Sequence, residues 1–287
     1  MGMKSKLKNI AQALGFLGMD LLVSGLIAIV YTIIIGIMNP TLEGAALEQV
    51  MEQSLKQNEG ILGISTALIV LGSLWLLSRR SKQEFSTYIQ LNAGNYGRRN
   101  ALLAIALAIA LSFTIVCALN QLPIPAHLLA EAEEAGFHLE GIALIPGLLY
   151  IIIAAPIVEE ILFRGLILDR LRRAMPTAAA VAISSVLFGL LHLMTLQMIW
   201  AAAVGVVLAI VKIKTGSLRV TILIHICINA LSVVTGLLPA GTVSIIVAIV
   251  SLATIIICVR KLERPTELAA VAEAEQQWNP YEEGDRL

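Results

Sequence analysis

Six stretches of this chain are long and apolar enough to cross a lipid bilayer, and a seventh is too long to cross it only once. A spanning helix needs about 20 apolar residues. Residues 21–38, 61–77, 101–119, 142–168, 218–238 and 243–259 approach or exceed that length. The first span can begin as early as Ile10, which would leave Asp20 facing the bundle. Hydrophobic residues make up 58% of the 287 residues, against about 45–50% in soluble domains. A soluble core is therefore the wrong architecture. Backbone polar groups in lipid must be satisfied within the segment, so the runs should be helices.

The seventh run, residues 178–211, would measure about 51 Å as one helix at 1.5 Å per residue. The hydrocarbon core is about 30 Å thick. Arg170, Arg172 and Arg173 precede this run, and Lys212 and Lys214 follow it. Two basic ends favour the same membrane side, so the run should fold back on itself. Its only polar interruption is Thr195 and Gln197, where a hairpin of two short helices is expected to turn. The fold class that follows is all-α: a polytopic transmembrane helix bundle of about eight helices.

Charge fixes an expected orientation. With both termini cytosolic, the inner loops carry Lys4, Lys6, Lys8, Arg79, Arg80, Lys82, Arg98, Arg99, Arg170, Arg172, Arg173, Lys212, Lys214, Arg219, Arg260, Lys261 and Arg264. The outer loops keep only Lys56 and hold Glu43, Glu48, Glu52, Glu59, Glu131, Glu133, Glu134 and Glu140. That is a strong positive-inside bias. The basic start MGMKSKLKNI, followed by an apolar run, reads as an uncleaved signal anchor. Cys117, Cys227 and Cys258 lie in apolar runs without disulfide or metal-type spacing. Three regions are expected: N-terminal helices and loops over 1–140, a core over 141–260, and a polar cytosolic tail over 261–287.

Ionisable groups inside apolar helices are costly, about 2.5–3.5 kcal/mol each on insertion scales, and are functional suspects by default. The run AAPIVEEILFRG places Glu159, Glu160 and Arg164 in such a helix. Glu160 and Arg164 are i and i+4 and share one face, whereas Glu159 is turned about 100° away. Phe188 precedes His192 by one turn, and His225 precedes Asn229 by one turn. Glu159 lies roughly 16 Å from the following arginine cluster, and His225 roughly 9 Å from Arg219, in the inner half or near the middle of the membrane. A structural polar network is the bland alternative for each pair. His127 and His138 lie in an acidic outer loop and read as surface histidines.

The three motifs Glu-Glu-x-x-x-Arg, Phe-x-x-x-His and His-x-x-x-Asn stand in order over residues 159–229. They resemble the CAAX protease and bacteriocin-processing (CPBP, ABI) family of intramembrane proteases. The resemblance implies hydrolysis of a peptide bond in or at the membrane. It implies Glu159 as the general base that activates water, His192 as a group that orients that water, and His225 with Asn229 as oxyanion stabilisers. Glu160, Arg164 and Phe188 would support them. The family is often labelled metalloprotease. A divalent metal such as zinc stays open, with Glu159, His192 and His225 as its ligands, although no HExxH arrangement is present and glutamate-activated water without a tightly bound metal is preferred.

Expected partners are the lipid bilayer and a membrane-associated peptide or lipidated protein tail, with no nucleic acid. A non-catalytic scaffold, immunity or regulatory protein of the same family is the alternative. A proton-coupled transporter is a lesser one, weakened by the lack of an internal repeat. The expected location is a bacterial plasma membrane, as an integral membrane protein.

Overall fold

The computed structural model describes residues 2–91, 97–134, 143–192, 195–235 and 245–263. These residues form ten helices and no strand. In chain order they are α1 (Met3–Met38), α2 (Gly44–Arg80), α3 (Phe85–Tyr88), α4 (Gly97–Gln121) and α5 (Ala126–Glu134). Helix α6 covers 144–174, and α7 (Thr177–Leu190), α8 (Thr195–Thr215), α9 (Leu218–Thr235) and α10 (Ile245–Lys261) complete the bundle. The all-helical class expected from the sequence is observed. Helices α1, α2, α4 and α8 are long and apolar enough to cross a membrane, and α7 and α9 are shorter apolar helices.

The count exceeds eight because α3 and α5 are short helices between spans. Helix α2 begins 17 residues ahead of its apolar run. Glu48, Glu52, Lys56 and Glu59 therefore lie on a helix and not in a loop. The segment is rich in Ala, Leu, Glu, Gln and Met, which are strong helix formers, and Lys56 pairs with Glu52 one turn away at 2.9 Å. The hairpin in the seventh run is present, but its turn comes before Thr195, which opens α8, and only α7 is a short arm, because α8 with 21 residues is long enough to cross. His127 is exposed on α5. His138, Glu140 and the tail from Arg264 onward lie outside the described residues.

Helix α6 occupies the centre. It stops at Ala174 because Pro176 follows, and the residue before a proline is pushed out of the helical region; Met175 is extended, at φ −146° and ψ 167°. Helices α1 and α2 form an antiparallel pair, joined by the Tyr31 hydroxyl to Ser54 Oγ at 2.7 Å. Ala13 and Phe16 of α1, and Val70 and Leu74 of α2, are buried in one core with Val158, Ile161 and Leu162 of α6. A second core joins Leu107 of α4, Leu208 of α8, Ile224 of α9 and Cys258 of α10. Helix α8 hands over to α9 through Gly216, whose φ of +68° suits the left-handed end of a helix.

The basic clusters gather at one end of this bundle. Arg99 at the start of α4 binds Glu263 after α10 at 2.7 Å. Lys214 at the end of α8 donates to the Val259 carbonyl at 2.7 Å. The Arg99 guanidinium beside Glu263 holds that carboxyl below its ordinary range. Helix α1 also packs against the last part of α6.

Two α2 glycines let α6 approach. A Cβ on Gly60 would strike the Pro146 and Gly147 backbone, and one on Gly63 would strike the Tyr150 ring. Nothing surrounds Gly25 on α1. Gly60→Ala is expected to lower stability by about 1–3 kcal/mol through overpacking. Gly25→Ala should be neutral or gain about 0.5–1 kcal/mol in helix propensity. Unfolding titrations in detergent check the pair; equal effects would contradict the packing.

Candidate functional site

Helix α6 is irregular where its polar residues sit. Two π-helical stretches, Tyr150–Ala154 and Ile161–Ile167, flank the regular segment Ala155–Glu160. Such widenings are frequent at functional sites. Here they help set where Glu159, Glu160 and Arg164 emerge.

Glu160 is the anchor. Its Oε1 accepts from Arg164 Nη1 at 2.7 Å and from His225 Nδ1 at 3.0 Å. The Glu160 and Arg164 side chains are 0% and 2% exposed. A buried ion costs several kcal/mol to desolvate, so each holds the other in place. The Arg164 guanidinium also lies 4.2 Å from the centre of the Phe188 ring, a cation–π contact. Phe188 meets Phe163, His192 and His225 edge-on, at ring-centre distances of 5.1, 5.0 and 5.8 Å. Gly205 of α8 makes room for this stack. A Cβ there would stand 3.3 Å from both Arg164 Nη2 and Phe188 Cδ1.

His225 joins the two glutamates. Arg164 keeps Glu160 ionised and therefore acceptor-only, so Nδ1 of His225 carries the proton. In the neutral ring this leaves Nε2 with a lone pair. That nitrogen faces Glu159 Oε2 at 3.6 Å, too far for a direct hydrogen bond. Glu159 is 28% exposed, so it alone of the two carboxylates reaches open space. The 100° separation of the two glutamates thus becomes a buried anchor and a reachable base.

His192 sits in the turn just after α7. Its Nδ1 lies 3.0 Å from the Phe188 carbonyl. A carbonyl only accepts, so Nδ1 carries the hydrogen and Nε2 is left free. Asn229 does not point its amide wholly into open space: its Nδ2 donates to the Ile151 carbonyl of α6 at 2.9 Å.

The structure therefore brings Glu159, Glu160, Arg164, Phe188 and His225 into one connected set. His192 joins through Phe188, and Asn229 is turned toward the α6 backbone. The donor set for a metal does not close. Among the described residues no three His, Cys, Asp or Glu side chains form a group that could hold one ion. Glu159, His192 and His225 do not make a three-ligand site in this arrangement.

Two neighbours of Glu159 were not assigned to the site from the sequence. Asp20 of α1, one turn beyond buried Phe16, is within electrostatic reach of Glu159. Tyr150 feels Glu159, Glu59 and Asp20 together. Asp20 had a visible signal as a lone charge in an apolar run; Tyr150 had none, because its position depends on how α6 packs against Gly63.

With this geometry in hand, comparison places the segment. Residues 141–231 match the family model described as type II CAAX prenyl endopeptidase Rce1-like, within the family that the three motifs resemble. All seven motif residues fall inside the matched range. No curated protein and no solved structure matches the chain.

Arg164→Ala or Glu160→Ala leaves a buried charge unpaired and is expected to cost about 3–5 kcal/mol. Glu159→Gln, at the partly exposed position, should cost less than about 1 kcal/mol. Thermal unfolding in one detergent tests the contrast; equal losses would remove the distinction between anchor and reachable base.

Proposed function

We propose that the chain is an intramembrane endopeptidase in which Glu159 activates water to cleave a membrane-associated peptide or lipidated protein tail. The observation that carries this reading is the split between two adjacent carboxylates. Glu160 is locked by Arg164 and His225, while Glu159 remains partly exposed opposite the free face of His225. The family match at 141–231 supports peptide hydrolysis of the CAAX type.

In the proposed reaction, water lies between Glu159 and the substrate carbonyl. Glu159 takes a proton as the water oxygen bonds to the carbonyl carbon. His225, which the resemblance makes an oxyanion stabiliser, can also take part in the proton transfer. Its Nδ1–H rests on ionised Glu160, which leaves Nε2 turned toward Glu159. Through water, Nε2 can take up the proton that Glu159 removes, and the Nε2–H so formed can donate to the developing oxyanion. Nε2 of His192 faces away from its own backbone bond and can accept from the attacking water. Collapse of the tetrahedral intermediate breaks the C–N bond. The proton taken from the water passes to the leaving amine, giving a carboxylic acid and an amine; the acid then gives its proton to the amine, leaving a carboxylate and an ammonium.

The bilayer supplies the setting. Helix α7 has 14 residues, about 21 Å of helix, so His192 lies at a turn shallower than a full crossing. Such a turn requires shelter by protein or by a water-filled cavity, and hydrolysis requires the water. The basic end of the bundle faces the cytosol in this reading, with both termini on that side. The substrate class is a prenylated C-terminal tail or a leader-type peptide presented from the membrane.

The test uses the purified protein in lipid nanodiscs with a farnesylated CAAX peptide and an unprenylated control. Wild type should release the C-terminal fragment, and Glu159→Gln should lower the rate roughly 10²–10⁴-fold. A chelator should leave the wild-type rate unchanged. Chelator-sensitive cleavage would return a metal to the mechanism. Equal cleavage by wild type and Glu159→Gln would remove Glu159 as the base. No cleavage of either peptide, by folded protein, would favour a non-catalytic scaffold.

A further inference from the structure

Asn229 stands at a motif position where a resemblance alone would make it an oxyanion donor. Its observed partner indicates another role. Helix α6 is widened at Tyr150–Ala154, so the Ala155 N–H bonds to the Tyr150 carbonyl, five residues back. The Ile151 carbonyl has two candidate partners along the helix. An α-helical bond would come from residue 155, whose N–H is already committed to Tyr150. A π-helical bond would come from residue 156, which is proline and has no N–H. The carbonyl that Pro156 strands is the one Asn229 Nδ2 reaches, at 2.9 Å.

We infer that Asn229 is a positioning residue: it satisfies the carbonyl left open by Pro156, and so ties α9 to the widened turn of α6 that orients Glu159 and Glu160. Physical chemistry supports each link. A buried carbonyl without a partner is costly, and Ile151 is buried, at 9% exposure. An extra residue in one turn rotates everything downstream by about 100° relative to an unbroken α-helix. The phase of the glutamates relative to Tyr150 thus depends on the widened turn being stable. His225 lies one turn before Asn229 on α9 and binds Glu160, so α9 grips α6 at both ends of the segment Ala155–Glu160. Pro156 and Asn229 form one device, one opening the backbone and the other closing it.

This assignment deepens the hydrolytic reading of the site, but its test needs no hydrolysis. The full chain in detergent is prepared as wild type, Asn229→Ala, Pro156→Ala and the double variant. Pro156→Ala restores an N–H at position 156. Asn229→Ala alone should lower Tm by roughly 3–8 °C and shift the ¹⁵N imidazole signals of His225. In the Pro156→Ala background the same change should lower Tm by less than half as much and move His225 little. Equal losses in both backgrounds would overturn the inference. A second measurement covers failure of the proline variant to fold. In ¹⁵N-asparagine-labelled wild type, one side-chain amide proton of Asn229, assigned by its loss in Asn229→Ala, should exchange slowly with solvent. If both its protons exchange as fast as those of free asparagine, the inference also fails. Loss of peptide cleavage with the Tm pattern intact would overturn only the hydrolytic reading.

Discussion

The buried pair of Glu160 and Arg164 is the constraint on which the site depends. Neither charge has water to fall back on, so each needs the other in one geometry. Glu160 Oε1 serves two donors, Arg164 from its own helix and His225 from α9. That single oxygen fixes the spacing of two helices. The guanidinium then rests on Phe188 of α7 and passes the constraint to a third. Gly205 keeps α8 out of the way. Buried ion pairs are weak evidence for net stability; here the consequence is position. Removing either member leaves the other as a charge in an apolar interior.

Function then follows from breaking helical regularity. A straight α-helix would carry Glu159, Glu160 and Arg164 with uniform phase. Pro156 and the two π-helical stretches change that phase on either side of the glutamates. The short hairpin arm α7 brings His192 into a turn, where a full-length span would have put it on a helix side. Both features sacrifice backbone hydrogen bonding in a low-dielectric setting, and both are repaired locally. The Ile151 carbonyl takes the Asn229 amide, and the Phe188 carbonyl takes the ring nitrogen of His192. Polar side chains of two of the motifs, His192 and Asn229, thus serve the backbone.

Much of this was legible in the sequence because charge in an apolar run is conspicuous. The i, i+4 spacing of Glu160 and Arg164 foretold their contact, and the separate heading of Glu159 followed from helical geometry alone. The fold-back of 178–211 followed from length and from basic residues at both ends. Other features were hidden for physical reasons. The helical extension of α2 into its acidic segment depends on propensity rather than hydropathy. The approach of His225 to Glu160 is a tertiary contact between residues 65 positions apart, invisible to local periodicity. The bond from Asn229 to the Ile151 carbonyl was hidden because a backbone partner leaves no mark in the side-chain pattern. Tyr150 and Gly205 are silent in the same way.

Hydrolysis by Glu159 in the membrane is testable in the membrane itself. Wild type and Glu159→Ala are expressed in the native membrane at equal abundance, and small membrane peptides and lipidated tails are compared by mass spectrometry. The account predicts at least one fragment that appears with wild type and disappears with Glu159→Ala, its uncut parent accumulating instead. Identical peptide profiles from the two inserted proteins would contradict it.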